Sequence, residues 1–285
     1  MDRNEHIIHE NEEGMRVKDI LSSAMRLSRR TISRLNAQRS IFLNNEPCRL
    51  SRTVKTGDRL TVREDSDIEI LYEDDDLVIV NKPAGIAAHP QAEDVRNMGT
   101  FLKQRYGEDF AVRTCGRLDK PVSGIMVYAK NKETASALSQ ERQSEVLKKE
   151  YLALIQGSFE QDRGRLEYRL AKEKGKRGKQ IAEDGQLCIT DYVTEKKYSG
   201  FSLVRVSIVT GRTHQIRSGM SAYGHPLLGD SLYGGSTALI RRPALHCEHV
   251  TLLHPGNGRK IDLHCPLPAD MKRILDTEEH YEHQD

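Results

Sequence analysis

Long apolar runs and paired cysteines are both missing from this chain of 285 residues. No stretch of about 18 consecutive apolar residues occurs, which argues against a membrane-spanning helix. The N-terminus from Met1 to Glu5 lacks the apolar core of a signal peptide. The five cysteines are odd in number and show no paired spacing, which is typical of free thiols in a reducing compartment. We therefore expect a cytoplasmic protein that does not bind membranes.

Motifs for nucleotide cofactors and metals are missing as well. No glycine-rich loop of the kind that cradles phosphates is recognisable. Histidines and cysteines do cluster late in the chain, at His246, Cys247, His249, His254, His264 and Cys265. None of them has the short Cys-x-x-Cys spacing that structural zinc sites favour, and alternation along strands would send neighbours to opposite faces. The sequence therefore predicts no cofactor and no metal.

Acidic residues are scarce in one region and basic residues in the next. Residues 14–63 carry twelve Lys or Arg and only three acidic residues, although the whole chain has a formal net charge of +2. Residues 64–76 carry eight acidic residues and no Lys or Arg. A basic segment is typical of a surface that binds phosphates, and a solvated basic face without a partner is the alternative. The change in composition predicts a domain boundary near residue 64.

The basic segment has the pattern of a small α/β domain. Apolar residues recur at the spacing of one helix face, at Val17, Ile20, Leu21 and Ala24. Ser28 is a suitable N-cap for a second helix that begins at Arg29, and Asn44-Asn45 suits a hairpin turn with positive φ. Arginines on and just before the second helix are candidate phosphate ligands, namely Arg26, Arg29, Arg30 and Arg34.

The rest of the chain predicts one large domain of the α+β class. Apolar runs and alternation indicate a mixed, mainly antiparallel sheet with flanking helices. A stretch without apolar periodicity at 171–184 is expected to be a surface loop. The predicted organisation is a disordered acidic N-terminus at 1–13, the basic domain at 14–63, a linker at 64–68, the large domain at 69–275 and an acidic tail at 276–285.

Arg117-Leu118-Asp119 places a carboxylate between two cations, the second being Lys120. Pro121 removes a backbone donor and fixes φ, so Asp119 is expected on a loop. The apolar run at 125–129 predicts a buried strand that would give this loop a rigid base. Taken alone, the motif is more typical of a structural ion pair than of a functional site.

Other motifs accompany this loop in a fixed order. They are Val80-Asn81-Lys82-Pro83-Ala84-Gly85, Lys149-Glu150-Tyr151-Leu152-Ala153-Leu154-Ile155-Gln156-Gly157, Gly211-Arg212-Thr213-His214-Gln215-Ile216-Arg217, Gly224-His225-Pro226-Leu227-Leu228-Gly229-Asp230 and Tyr233-Gly234. Together with the Asp119 loop they resemble the RluA family of RNA pseudouridine synthases over roughly residues 69 to 270. The basic domain at 14–63 resembles the S4-type RNA-binding domain.

The resemblance implies an isomerase that converts uridine to pseudouridine without a cofactor or metal. It assigns the essential carboxylate to Asp119, and leaves open whether Asp119 attacks the ribose or removes a ribose proton. It further assigns the cation that keeps Asp119 ionised to Arg217, the ring that stacks on uracil to Tyr151, and the side chain that fills the place of the flipped nucleotide to Arg117. Lys82, Arg212 and His214 would contact RNA or support the framework.

Two positions depart from the pattern of the family. It commonly has His where Gly116 stands and Thr where Val122 stands. The expected partner is structured RNA, with ribosomal RNA favoured over transfer RNA because an additional phosphate-binding domain helps on a large folded target. A monomer is expected.

Other functions compete with this interpretation. The chain could be a non-catalytic S4-type RNA-binding protein with a relic synthase domain. A carboxylate-based glycosidase would need a second acid at a suitable separation, and the sequence offers no partner carboxylate beside Asp119.

Overall fold

A computed structural model describes residues 5–37, 40–62, 68–89, 97–143, 146–172 and 178–282 of the chain. Residues 64–67 of the expected linker lie outside these ranges. So do residues 173–177 of the loop expected at 171–184, and the outermost residues of the chain at both ends.

The basic N-terminal segment forms a small unit of two helices and a sheet of strand order β1–β4–β2–β3. Its elements are β1 (Glu5–Ile7), α1 (Val17–Ser23), α2 (Arg29–Ala37), β2 (Ile41–Leu43), β3 (Glu46–Pro47) and β4 (Arg59–Val62). The predicted apolar face of α1 is buried together with Ile32 and Leu35 of α2. The Ser28 hydroxyl accepts a hydrogen bond from the Thr31 backbone at 3.1 Å, which supports the predicted N-cap.

Residues 5–13 differ from the prediction of a disordered N-terminus. β1 pairs with β4 in antiparallel register, and a 3₁₀ turn follows at Glu10–Glu12. Ile8 between them is buried in the core of the small domain. A strand of three residues is too short to show alternation in the sequence, so the acidic composition around it was misleading.

The large domain is built on a sheet that has eleven strands in the described residues. Its strands are β5 (Ile70–Glu73), β6 (Leu77–Lys82), β7 (Arg113–Cys115), β8 (Ser123–Ala129), β9 (Lys148–Gln156), β10 (Arg163–Ala171), β11 (Gln180–Ile181), β12 (Gln186–Lys197), β13 (Phe201–Ile208), β14 (Leu245–Leu253) and β15 (Lys260–His264). The helices are α3 (Met98–Tyr106), α4 (Lys132–Gln143), α5 (Gln215–Ala222) and α6 (Ala269–Glu282). Within the described ranges, no helix is both long and apolar enough to cross a membrane.

The strand order is β11–β10–β12–β13–β9–β14–β8–β6–β5, with β15 beside β14 and β7 beside β8. β8 and β14 run parallel, whereas the neighbours on either side of them are antiparallel. The predicted α+β class with a mixed, mainly antiparallel sheet is confirmed. β8, the predicted rigid base of the Asp119 loop, is buried along its whole length.

Several elements of the large domain were not predicted from the sequence. β10 and β12 form a long antiparallel pair, and β11 lies within the stretch expected to be a loop and pairs with the end of β10. α6 extends to Glu282, so the expected acidic tail is helical over 276–282. In β10 the buried residues Leu166, Tyr168 and Leu170 alternate with exposed charged residues, a period-2 signal that was present but diluted by charge.

Gly124 determines how closely β8 and β14 can approach each other. It pairs with Cys247 in the parallel register and has a φ of +116°, in the region that favours glycine. A Cβ atom at this position would overlap the backbone carbonyl oxygen of Cys247. Because Gly124 ends the segment that begins at Asp119, this contact also fixes the base of the Asp119 loop.

We expect Gly124→Ala to lower the free energy of unfolding by about 3 kcal/mol or more, since it combines backbone strain with overlap against a buried strand. The matched control is Gly200→Ala, because Gly200 has a φ of +88° but nothing within 4 Å of its Cβ position. It should cost only the strain, about 1–2 kcal/mol. Urea denaturation of both variants measures the difference, and equal losses would show that the contact with Cys247 has no energetic weight.

Candidate active site

A cavity of about 900 Å³ opens where the Asp119 loop faces the segment between β13 and α5. Its walls come from residues 115–122, the start of β9, the end of β13 and residues 210–217. The cavity brings together Arg117, Asp119, Tyr151, Arg212, His214 and Arg217 from the predicted site. These residues are separated by up to a hundred positions in sequence, so the tertiary fold creates the site.

Backbone hydrogen bonds on both sides hold the Asp119 loop. The Val122 amide donates to the Asp119 carbonyl at 3.0 Å, which closes a turn around Pro121. The Gly85 amide donates to the Lys120 carbonyl at 2.8 Å. The loop therefore has little freedom, while the Asp119 side chain remains 20% exposed towards the cavity.

Lys82 supports this loop from behind and does not line the cavity. Its side chain is fully buried, and its ammonium donates to the carbonyl oxygens of Pro83 and Ile86 at 2.9 Å and of Lys120 at 3.4 Å. Burial lowers the pKa of Lys82 to about 7, with Arg242 adding to the effect and Asp119 opposing it. Of the two roles predicted for Lys82, the structure contradicts contact with RNA and agrees with support of the framework, because tertiary closure of two loops encloses the ammonium.

The opposite wall is fixed by the side chain of Gln215, at the start of α5. Its amide oxygen accepts from the Thr210 hydroxyl at 2.8 Å and from the Arg212 amide at 3.0 Å. Its amide nitrogen donates to the Ile189 carbonyl and the Thr190 hydroxyl at 3.0 Å each. The buried side chain of Gln215 thus connects the loop at 210–212, helix α5 and β12. These bonds position the residues between Thr210 and Gln215 at the cavity.

Arg217 lies between two carboxylates. Its Nη1 donates to Asp119 Oδ2 at 3.1 Å, while Nε and Nη2 donate to the two oxygens of Asp230 at 2.7 and 2.9 Å. Burial alone would lower the pKa of Arg217, but Asp230 and Asp119 outweigh it and raise that pKa above its ordinary value. The predicted contact between Asp119 and Arg217 is therefore present in the structure.

Asp230 was missed as a site residue, although it belongs to one of the motifs quoted above. It is 1% exposed and both of its oxygens are bonded to Arg217. The sequence showed no partner carboxylate beside Asp119, and the structure places Asp230 on the other side of the guanidinium that Asp119 contacts. Asp230 is sealed from the cavity, however, so it orients Arg217 and is not placed to act as the second acid of a glycosidase.

His214 is the next polar side chain near Asp119, and it is held by Tyr233. The Tyr233 hydroxyl accepts from the Lys179 amide and lies 2.8 Å from Nδ1 of His214. This arrangement favours donation by the hydroxyl, which leaves the ring proton of His214 on Nε2, 3.8 Å from the Asp119 carboxylate. Burial lowers the pKa of His214 although Asp119 opposes the shift, so the imidazole is neutral at pH 7.

The mouth and floor of the cavity carry the remaining predicted residues. Arg117 is exposed, and its Nη2 donates to the Thr213 hydroxyl at 3.1 Å, which bridges the two walls. Arg212 is exposed at the rim. Tyr151 is buried on β9, opposite Cys247 of β14 and Val206 of β13, and its side chain lines the floor.

The predicted phosphate ligands lie in the small domain. Arg26, Arg29 and Arg30 are exposed, and within the described residues no carboxylate forms an ion pair with them. Arg34 belongs to α2, but its side chain lies outside what the structure describes. The described cavity lining comes from residues 87–245, so these arginines form a separate basic surface.

The structure also tests the histidine cluster considered for zinc. Donor atoms of His249, Asp262 and His264 lie within 4.8 Å of one another. The two imidazole rings are stacked with centroids 4.1 Å apart and planes 1° apart. The nitrogen lone pairs therefore lie in separate parallel planes and cannot meet at one ion unless a ring rotates. His249 instead bonds to the carboxylates of Glu150 and Asp262.

Comparisons with known proteins agree with this geometry. Residues 76–222 match the family model described as RNA pseudouridylate synthase. Residues 5–60 match the model described as the RluD ribosomal pseudouridine synthase N-terminal domain. The second match covers most of the small domain, including its basic helix α2.

Similar proteins span most of the chain. An uncharacterized RNA pseudouridine synthase, YhcT of Bacillus subtilis strain 168, is 33% identical, with 96% of each chain covered. The ribosomal large subunit pseudouridine synthase D of Haemophilus ducreyi is 34% identical over 74% of this chain and 70% of its own. The solved structure of human RNA pseudouridylate synthase domain containing 1 shares the fold, with a TM-score of 0.61 and 23% identity over 76% of this chain and 96% of its own.

We expect Asp230→Asn to lower the free energy of unfolding by about 3–5 kcal/mol, because it leaves the buried Arg217 without its bidentate partner. The control is Asp191→Asn, since Arg165 and Asp191 form a pair of the same geometry with distances of 2.7 and 2.9 Å. Their side chains are 53% and 38% exposed, so the loss there should be about 1 kcal/mol or less. Urea denaturation measures the free energy of unfolding of both variants. Similar losses would show that burial does not make the pair of Arg217 with Asp230 stronger than the exposed pair.

Proposed function

The chain belongs to the RNA pseudouridylate synthase family and is an RNA pseudouridine synthase, and we propose that Asp119 is its catalytic carboxylate. The observation that carries this proposal is the hydrogen bond between Asp119 and Arg217 at the wall of the cavity. Conversion of uridine to pseudouridine breaks the bond between N1 and C1′, turns the uracil and joins C5 to C1′. Asp119 either attacks C1′ or removes the ribose proton at C2′, and both roles require an ionised carboxylate.

A bound nucleotide would exclude water from the cavity, and the role of Arg217 is then to favour the charged form of the Asp119 carboxylate. A carboxylate removed from water tends to gain a proton, and a fixed guanidinium opposes that. Arginine suits the task because it remains charged and its planar fork can hold Asp230 bidentately while one nitrogen is left for Asp119. Asp230 is therefore a positioning residue for the guanidinium.

Tyr151 and Arg117 would handle the nucleotide itself. Tyr151 lines the floor and offers a flat ring on which uracil can stack, and its hydroxyl is a candidate acceptor for the C5 proton at the end of the reaction. A uridine in structured RNA must leave the base stack to reach this floor, which costs a few kcal/mol. Arg117 is exposed at the mouth, where it can take the place that the nucleotide vacates.

The competing function, a non-catalytic RNA-binding protein, lacks support at the site. Asp119, Tyr151 and Arg217 all line one cavity, and an unused site would not need an arginine held between two carboxylates. Buried ion pairs contribute little to stability compared with apolar packing, so the presence of this one beside the cavity favours a chemical role.

We expect Asp119→Asn to abolish pseudouridine formation while RNA binding stays within about twofold of the wild type, because the amide keeps the shape but neither attacks nor accepts a proton. The assay is release of tritium from RNA labelled at C5 of uridine, beside filter retention of the same RNA. Asp184→Asn, on an exposed turn, is the control and should retain full activity. Normal release by Asp119→Asn, or no release from any cellular RNA by the wild type, would refute the proposal.

The proposed target is ribosomal RNA. The exposed arginines Arg26, Arg29 and Arg30 supply a phosphate-binding surface outside the cavity, as a large folded RNA would require. The match of residues 5–60 to the RluD N-terminal domain supports the same target, as do relatives named ribosomal large subunit pseudouridine synthases.

Deleting the gene should therefore remove pseudouridine from one or a few positions of ribosomal RNA and leave transfer RNA unchanged. Chemical mapping of pseudouridine in both RNA classes measures this. Complementation with Asp119→Asn is the control and should not restore the modification. Losses confined to transfer RNA would contradict the proposed target without affecting the proposed chemistry.

A further inference from the structure

Lys149 also lines the cavity. Neither the sequence motifs nor the family resemblance assigns it a role. It lies two residues before Tyr151 on β9, and side chains two apart on a strand share one face. Both residues are buried and line the cavity, and Glu150 between them, which also borders the cavity, has its carboxylate bonded to His249 and Arg205. Lys149 thus stands beside the ring on which we place the uracil.

The ammonium of Lys149 is short of partners. It is 7% exposed, and in the described residues its hydrogen-bond acceptor is the Cys115 carbonyl oxygen at 3.3 Å, with no carboxylate paired to it. An ammonium carries three N–H donors, and a buried charge with one neutral acceptor is costly. The Lys149 ammonium therefore has N–H groups left that could donate to a ligand at the floor of the cavity.

Gly116 leaves the space above this ammonium open. It has a φ of +76°, and a Cβ atom there would lie 3.4 Å from Nζ of Lys149. A side chain at position 116 would begin in van der Waals contact with the ammonium, whereas glycine leaves that side of the ammonium open to a ligand. Glycine at position 116, where the family commonly has His, therefore leaves more room beside the Lys149 ammonium.

We propose, resting on the proposed function, that Lys149 is a further binding residue for the uracil ring, donating to a carbonyl oxygen of the flipped base and stabilising the negative charge the ring gains. When the bond between N1 and C1′ breaks, its electron pair stays on N1 and spreads to O2 and O4. The ribose is balanced by a new bond to Asp119 or by loss of its C2′ proton to Asp119. Lys149 keeps its proton throughout.

The position of the ammonium favours the base over the phosphate backbone. RNA phosphates remain outside a cavity into which one nucleotide is drawn, whereas Nζ of Lys149 is buried at the floor beside Cys115 and Gly116. Lys148, its exposed neighbour on β9 at the border of the cavity, is the residue suited to a phosphate contact. A donor aimed at developing charge in a dry site is worth about 10²–10³ in rate.

The test variant is Lys149→Gln, which keeps a neutral N–H donor for the Cys115 carbonyl and removes the charge. On uridine RNA we expect its single-turnover rate of uridine loss to fall about 100-fold. On RNA containing 5-fluorouridine the electron-withdrawing fluorine stabilises the departing ring, so the fall should be about 10-fold or less. Nucleoside chromatography measures both rates, and Lys132→Gln, at an exposed position outside the cavity, should change neither.

Equal losses on the two RNAs, or no loss on either, would overturn the role of Lys149 and leave a structural contact with Cys115. If Lys149→Gln does not fold, Lys149→Arg serves instead. It retains the charge and should stay within about 10-fold of the wild-type rate on uridine RNA, and a 100-fold loss would overturn the inference. A wild type that consumes uridine in no RNA would refute the proposed function itself, which separates the two failures.

Discussion

The guanidinium of Arg217 shared by Asp119 and Asp230 is the interaction on which the site depends. It joins a loop before β8, the helix α5 and the turn after α5, which are three separate parts of the chain. The pair with Asp230 is almost free of solvent, so its attraction is screened far less than that of a surface pair. Loss of this contact would release Asp119, the proposed catalytic carboxylate, from its only direct cationic partner in the described residues.

Several charged and polar groups surround the Asp119 carboxylate. Two carboxylates flank one guanidinium, which alone would leave a net negative charge. The ammonium of Lys82 lies behind the same loop and is attracted by Asp119, and the neutral His214 presents a ring proton from the side. Arg217 and His214 both approach Asp119 Oδ2, and cations and dipoles of this kind lower the cost of a carboxylate charge.

How much the sequence predicts depends on whether a feature is local. The helix face at Val17, Ile20 and Leu21 and the cap at Ser28 were predicted because spacing and capping act within a few residues. The contact of Asp119 with Arg217 came from motif resemblance, not from spacing. The burial of Lys82 could not be predicted, since Lys-Pro-x-Gly has the composition of a surface turn and becomes enclosed only when a loop 38 residues later closes over it.

The exposed arginines of the small domain and the cavity of the large domain differ in what they can recognise. Contacts to phosphates fix the position of an RNA but carry no sequence information, so the exposed arginines of α2 cannot select a uridine by themselves. Selection must then depend on what enters the cavity past the bridge between Arg117 and Thr213, and on groups inside it that distinguish one base from another. Uracil differs from cytosine by presenting a carbonyl oxygen at C4 in place of an amine. In the role proposed for Lys149, its N–H donors fit the carbonyl oxygen and not the amine, so the same residue would also restrict the reaction to uridine.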